Sequence, residues 1–210
     1  MSSQDHILDD PFFDEDAETL RTRRNLPHWS QEGKLYFVTW RLADSLAQET
    51  LARIEADRRA WVREHGDKPI GALGPRLQRE WYRLFHHRVQ HWLDAGHGSC
   101  VLRKPDARRI MIDALHHFHG ERYHLGSFAV AGNHVHVLVA PHAGVELSSV
   151  IHSWKSFTAN AINKALGSSG RLWMDEYFDR ILRNQNHLER VEDYIAAHVR
   201  QGAYVERRPS

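Results

Sequence analysis

The 210-residue sequence predicts an α+β fold of the ferredoxin-like type, an antiparallel sheet with helices packed on one face. Three observations lead to this prediction. A run rich in β-branched and aromatic residues at 34–42 is typical of a strand, two short apolar runs flank Gly132-Asn133 as in a β-hairpin, and apolar residues recur with a helical period over 147–166. Strands interleaved with helices, next to an antiparallel pair, suit a split βαβ arrangement.

The chain is expected to form one domain over residues 33–205, preceded by an acidic arm and followed by a tail at 206–210. Seven acids and three arginines give residues 1–24 a charge of −4, and because the net charge is +1 the remainder carries +5. The arm has little apolar content, so residues 1–32 are predicted to be flexible or loosely docked. A moderately basic body suits a polyanionic partner without requiring one.

Turn and cap signals divide the domain into elements. Asp44 or Ser45 can cap the first helix, and Pro105 suits the start of a later one. Asn186 and Glu189 resemble a capping box that opens the last helix. We therefore predict helices over 44–65, 76–95, 105–119, 147–166 and 186–201 and strands over 34–42, 123–131 and 134–140. A loop is expected over 66–74, a loop leading into a strand over 172–182, and an edge strand or loop over 99–102.

The second strand of the hairpin carries a His-x-His pair. Side chains alternate along a strand, so His134 and His136 point to one face with Leu138, and the intervening valines point to the core. Two imidazoles at such positions can bind one divalent cation. Taken alone, two polar residues on a solvent-facing strand are the more common explanation.

The last predicted helix carries a tyrosine and a histidine on one face. Tyr194 and His198 are four residues apart and lie beside the apolar stripe, at the boundary between core and solvent. A tyrosine hydroxyl is a weak nucleophile that needs a base or a polarised electrophile. A metal on His134 and His136 could polarise a phosphoryl oxygen, with His198 as third ligand or proton carrier. The ordinary alternatives are a helix-flank tyrosine and a solvated histidine.

Basic side chains could supply contacts to a phosphate backbone. We select Lys155, Arg180, Arg183 and Arg41 as candidates, although each residue type is more often a surface charge. Several aromatic residues are expected in the core, and some could stack on unpaired bases. These are Tyr36, Trp40, Trp173, Tyr177 and Phe178.

Composition excludes several classes of protein. With 41% hydrophobic and 26% charged residues, the chain is not globally disordered. The single cysteine, Cys100, rules out an intramolecular disulfide framework. No apolar run approaches the ~18 residues of a transmembrane helix, and no signal pattern opens the chain, so a cytoplasmic protein without membrane contact is expected.

Six segments, taken in order, resemble the single-tyrosine HUH transposases, in particular the REP-associated tyrosine transposases and their insertion-sequence relatives. The resemblance covers roughly Gly33–Tyr204. The segments are Tyr36-Phe-Val-Thr-Trp-Arg-Leu, Trp92-Leu-Asp-Ala-Gly, Asn133-His-Val-His-Val-Leu-Val, Ser153-Trp-Lys-Ser-Phe-Thr-Ala, Leu172-Trp-Met-Asp-Glu-Tyr-Phe-Asp-Arg and Glu192-Asp-Tyr-Ile.

The resemblance implies the HUH endonuclease fold, a divalent metal (Mg or Mn), and a tyrosine that cleaves single-stranded DNA next to a hairpin through a covalent 5′-phosphotyrosine. By position, His134 and His136 correspond to the HUH metal ligands, Tyr194 rather than Tyr177 to the nucleophile, and Lys155 to a basic position. Two positions depart from the family pattern. His198-Val199 follows the tyrosine where the family usually has Asn-Pro or Gln, and Gly132 stands where it often has Pro.

Three functions remain open from the sequence. The first is a metal-dependent single-stranded DNA endonuclease and strand transferase, acting as a monomer or a homodimer. The second is a domesticated, non-catalytic binder of hairpin DNA, in which the histidines are dispensable. The third is a metallohydrolase of small phosphoesters, with His134, His136 and His198 as ligands and Tyr194 as a bystander.

Overall fold

The structure is a computed structural model, and it describes residues 10–23, 27–66 and 73–208. The strands are β1 (Leu20–Arg23), β2 (Pro27–Ser30), β3 (Tyr36–Leu42), β4 (Tyr123–Val130), β5 (His134–Pro141), β6 (Trp173–Ile181) and β7 (Tyr204–Glu206). The α-helices are α1 (Gln48–His65), α2 (Pro75–Trp81), α3 (Arg88–Asp94), α4 (Pro105–His117), α5 (Leu147–Leu166) and α6 (Gln185–Ala197).

A five-stranded antiparallel sheet forms the centre of the fold, with the strand order β6-β3-β5-β4-β7. Its first four strands in the chain therefore lie in the order fourth, first, third, second, with α4 in one crossover and α5 in the other. This is the split βαβ arrangement, so the predicted α+β ferredoxin-like class is confirmed. The short strand β7, which the sequence analysis did not predict, pairs with β4 and spans the expected boundary between domain and tail.

Both faces of the sheet are buried. Val135, Val137 and Val139 of β5 belong to the largest core cluster, against which α4 and α5 pack. On the opposite face, Phe37 and Leu138 pack against the apolar stripe of α6. The structure thus corrects one detail of the predicted fold, because helices cover both faces. The reason is that the second face also carries apolar side chains, which a helix must shield from water.

The described part of the acidic arm is docked on the domain. Strands β1 and β2 form a separate antiparallel ribbon, and Phe12 and Phe13 pack against different core clusters. The backbone N–H of Phe13 donates to the carbonyl of Leu182, at 2.7 Å. Of the two alternatives, a flexible or a loosely docked arm, the contacts of residues 10–23 and 27–32 favour docking, while residues 1–9 and 24–26 lie outside the described residues.

An insertion between β3 and α4 contains α1, α2 and α3, and α1 and α2 pack around a small apolar cluster of their own. Its buried members are Trp61, Leu73, Trp81 and Phe85. The helix predicted over 76–95 is interrupted by a π-helical stretch, Tyr82–His87, a feature often found near functional sites. Part of the loop predicted over 66–74 lies outside the described residues.

Two further local predictions are corrected. The cap of the last helix is Asn184, whose Oδ1 accepts from the backbone N–H of His187 at 2.9 Å, not the predicted pair at Asn186 and Glu189. The segment predicted as an edge strand or loop over 99–102 leads into a 3₁₀ turn, Val101–Arg103. Among the described residues, no helix is long and apolar enough to span a membrane.

Candidate active site

His134 and His136 lie on the face of β5 that α6 covers. Leu138 shares this side of the strand, as the alternation predicted. The exposed fractions of the two histidines are 1% and 0%, so the solvent-facing alternative is wrong. Two imidazoles buried this deeply need polar partners.

The end of α6 and the 3₁₀ turn His198–Gln201 bring two more side chains to this face. The ring centroids of Tyr194 and His198 lie 4.7 Å apart, and both rings contact His136, at 5.1 and 4.6 Å. Tyr194 lies half-buried at the core boundary, as its spacing predicted, whereas His198 is fully buried.

Asp94, the last residue of α3, completes a cluster of four. Ligand atoms from Asp94, His134, His136 and His198 all lie within 4.8 Å of one another. Asp94 Oδ1 is 3.4 Å from His198 Nε2 and 3.7 Å from His134 Nε2. The insertion, the central hairpin and the last helix thus each contribute to one group of potential ligands.

The Nδ1 atom of each histidine lies within hydrogen-bonding distance of a nearby oxygen atom. His198 Nδ1 lies 2.8 Å from the backbone carbonyl of Tyr194, and His134 Nδ1 lies 2.7 Å from Asn133 Oδ1. A carbonyl oxygen only accepts, so both Nδ1 atoms carry the proton and the neutral rings direct the Nε2 lone pair inward. His136 Nδ1 contacts Thr39 Oγ1 at 2.7 Å. Partners of this kind orient imidazoles for metal binding.

The inward-facing atoms fit a metal ion. Within the described ranges, Asp94 Oδ1 and the Nε2 atoms of His134 and His198 are buried without a hydrogen-bond partner. Such atoms are rare in native proteins unless an ion or water satisfies them. Burial, with a smaller contribution from the adjacent His198, lowers the pKa of His134 to about 3, so this imidazole is neutral at physiological pH. Neutral imidazoles and a carboxylate are metal ligands.

The Tyr194 hydroxyl points toward this cluster. It donates to Gln90 Oε1 of α3 at 3.1 Å, and its oxygen is 3.4 Å from His136 Nε2. Burial, and secondarily the charge of Asp94, raises the pKa of Tyr194 above its ordinary value of 10. The phenol is therefore protonated in the metal-free protein, and deprotonation requires added positive charge.

The four basic candidates lie in different places. Arg41 pairs directly across from His134 and shares its face, where it donates to Ser45 Oγ at 3.0 Å and burial lowers its pKa to about 10. Arg180 and Arg183 line a cavity beside Tyr194. Lys155 lies on α5, on the other side of the sheet, and donates to the carbonyls of Met174 and Asp175 at 2.7 Å each. The geometry therefore does not bring Lys155 to the cluster.

Tyr177, the other tyrosine considered for catalysis, points away from the cluster. Its ring stacks on His28 at 4.4 Å and packs against the core on the α5 side. Among the predicted aromatic residues, Tyr36, Trp40 and Trp173 are buried in that same core, and Phe178 is partly buried on the face of the histidines.

Sequence reasoning missed four residues of the site: Thr39, Asp94, Gln90 and Asn133. Thr39, Asp94 and Asn133 stand inside segments that carried the family resemblance, so that signal existed. No sequence signal pointed to Gln90, because a buried glutamine in a helix cannot be distinguished from an exposed one until the packing of that helix is known.

A comparison with protein-family models supports the resemblance for part of the chain. The model of the IS200-like transposase family matches residues 104–198. A solved REP-associated tyrosine transposase bound to a REP hairpin is 14% identical, with a TM-score of 0.43, and the alignment covers 86% of this chain and 73% of that one. A candidate transposase from Deinococcus radiodurans R1 is 12% identical, with a TM-score of 0.32, over 78% of this chain and 88% of that one. Among curated proteins, none matches. The segment 104–198, which includes the paired histidines and Tyr194, is thus similar to the IS200-like transposases, the family that the motifs resemble.

Proposed function

We propose that this transposase-like protein is a metal-dependent single-stranded DNA endonuclease and strand transferase with Tyr194 as its nucleophile. One observation carries the proposal: the Tyr194 hydroxyl lies at the edge of a buried group of four potential metal ligands. Tyr194 is half-buried, so part of its side chain is open to an approaching DNA strand, while the three histidine ligands are fully buried.

Asp94, His134, His136 and His198 would hold the metal. A divalent ion bound there would stabilise negative charge on the scissile phosphate and on the tyrosine oxygen. Three nitrogen ligands and one carboxylate suit Mn²⁺ better than Mg²⁺, which prefers oxygen ligands and retains water. We therefore propose Mn²⁺ as the preferred ion of the two that the resemblance implies.

The reaction is a transesterification. Tyr194 Oη forms a bond to phosphorus, the phosphorus–O3′ bond breaks, and the departing oxygen takes up a proton to become a 3′-hydroxyl. The phenolic proton leaves to solvent. Gln90 positions the hydroxyl before attack, since its amide oxygen accepts from it. Attack of a second 3′-hydroxyl on the phosphotyrosine reverses the step and joins two strands.

We propose single-stranded DNA containing a hairpin as the substrate, on the strength of the shared motifs. A REP hairpin is also what the solved REP-associated transposase is bound to. Arg41 is suited to contact the strand, because it lies on the face of the histidines directly across from His134.

The test is a denaturing-gel assay with labelled single-stranded hairpin DNA from the flanks of the gene, with Mn²⁺, Mg²⁺ or EDTA. A covalent band that requires metal is expected for the wild type and for Tyr177→Phe, the matched tyrosine control. Tyr194→Phe and His136→Ala should lack the band. A band of full intensity with Tyr194→Phe would refute the assignment of the nucleophile.

Two other outcomes select the remaining hypotheses. Hairpin binding without a covalent band, unchanged in His136→Ala, would indicate the non-catalytic binder. Metal-dependent hydrolysis of a small phosphoester that survives Tyr194→Phe would indicate the metallohydrolase.

A further inference from the structure

A cavity of about 370 Å³ opens beside Tyr194, on the side where β6 meets α6. Gln90 of α3, Phe178 of β6 and Tyr194 form part of its wall. The cavity therefore borders the proposed nucleophile without including any of the four metal-ligand candidates.

The lining of this cavity is strongly basic. Arg180, Arg183 and Arg190 all line it, and among the described residues no aspartate or glutamate does. In the part of the chain that the structure describes, none of the three forms an ion pair with a carboxylate. Arginines left without acidic partners around one concave site favour an anion, and the planar guanidinium suits phosphate in particular.

Other groups around the cavity orient Arg180 and add to the positive potential. The guanidinium of Arg180 lies over the ring of Tyr82, 4.9 Å from its centroid, and burial lowers its pKa. The first turn of α6 forms another part of the wall through Asn184 and His187, so the positive end of the helix faces the cavity. Burial, with smaller contributions from the three arginines, lowers the pKa of His187 to about 4, so this imidazole adds no charge to the cavity at physiological pH.

The cavity also has an aromatic side. Phe37 and Phe178 line it together with the arginines. Basic side chains combined with aromatic faces are the pattern by which proteins hold unpaired nucleotides, the base lying on a ring and the phosphate on the cations. A volume of about 370 Å³ is of the size of one nucleotide and too small for a base pair.

We infer that this cavity holds one nucleotide of the DNA strand, adjacent to the scissile phosphate, with its phosphate on Arg180, Arg183 and Arg190 and its base against Phe178. The inference rests on the proposed function, because it takes the strand to pass Tyr194. It adds a site that fixes the register of the strand, so that one particular phosphate lies opposite the tyrosine oxygen.

Binding of single-stranded hairpin DNA tests the inference separately from cleavage. We would measure dissociation constants by fluorescence anisotropy between 50 and 300 mM salt (roughly the range over which counterion release dominates), with all proteins carrying Tyr194→Phe. Arg183→Gln and Arg190→Gln should each reduce the slope of log K against log salt by about 0.7, the value for one phosphate of a single strand. The matched control is Arg109→Gln, an exposed arginine on α4. An unchanged slope in both cavity variants would overturn the inference.

DNA-side changes then locate the nucleotide. Single methylphosphonate linkages, which are uncharged, are placed at each position around the cleavage site. One position should weaken binding to the protein with intact arginines, and the same linkage should have little further effect in Arg190→Gln. An abasic residue at that nucleotide should weaken binding about tenfold. If no methylphosphonate position weakens binding to the protein with intact arginines more than it weakens binding to Arg190→Gln, the cavity does not hold a phosphate of the strand. Failure of the proposed function would appear instead as absence of a covalent band with Tyr194 intact.

Discussion

Replacement of Asp94 by asparagine should have opposite effects on the metal-free and the metal-loaded protein. In the metal-free cluster, Asp94 Oδ1 faces the lone pairs of His134 Nε2 and His198 Nε2 at 3.7 and 3.4 Å, and all three atoms are acceptors without a donor. The side-chain amide introduced by Asp94→Asn would present an N–H₂ group to those nitrogens after a small rotation. With metal bound, the same change removes an anionic ligand.

The magnitudes follow from these contacts. A buried polar atom without a partner costs about 1–3 kcal/mol, so satisfying one should raise the free energy of unfolding of the metal-free protein by about 1 kcal/mol. For a chain of this size, that corresponds to an increase in Tm of about 2–4 °C. Metal at a hundred times its dissociation constant should stabilise the wild type by about 2.7 kcal/mol. Loss of the ligand should weaken metal binding at least about 10–100-fold, the range measured for indirect partners.

The assay is differential scanning calorimetry at pH 8, with EDTA and with increasing Mn²⁺. Titration calorimetry gives the metal affinity directly. Asp113→Asn, the same chemical change at an exposed position of α4, is the control. If Asp94→Asn lowers the Tm in EDTA and leaves the Mn²⁺-induced shift intact, Asp94 is not a ligand and the reasoning from its unpaired oxygen fails.

Three further predictions concern the surroundings of the cluster. Asn133→Ala removes the oxygen that holds His134 Nδ1 and should weaken Mn²⁺ binding about 10–100-fold, measured by titration calorimetry; unchanged affinity would contradict this role. Gln90→Leu removes the acceptor of the Tyr194 hydroxyl and should slow covalent-complex formation at saturating DNA about 3–10-fold. Gln90→Glu keeps an acceptor, so this variant should slow the reaction less. Equal rates in the two variants would count against a positioning role for Gln90. Burial and the nearby arginines lower the pKa of His187 to about 4, so the unfolded chain takes up a proton that the folded chain does not as the pH falls from about 6.5 to 4. The contribution of His187 to stability, up to about 3 kcal/mol, is thus present above pH 6.5 and lost below it. Urea unfolding at pH 7.5 and 5 should show that the free energy of unfolding falls less for His187→Gln than for the wild type. An identical fall in both proteins would refute the lowered pKa of His187.

Elements with a strong local pattern were predictable. The helix expected over 147–166 has the observed bounds, because a full apolar stripe and a glycine stop at Gly167 both lie within the segment itself. The hairpin was predictable for the same reason, since strand alternation sets the face of His134 and His136 wherever the strand lies. The strand β7 was not predictable from the sequence, because a strand of three residues is too short to show a period-2 pattern.

The sequence by itself therefore determined the class of fold, the common face of the paired histidines, and the neighbouring positions of Tyr194 and His198, since each depends on spacing within one element. Tertiary structure decided which partners meet them. Asp94 reaches the cluster only because the insertion packs against the sheet face that α6 also covers. Lys155 is kept from it because α5 packs on the opposite face. Contacts between residues distant in the chain depend on how the elements pack, and no local pattern contains that information.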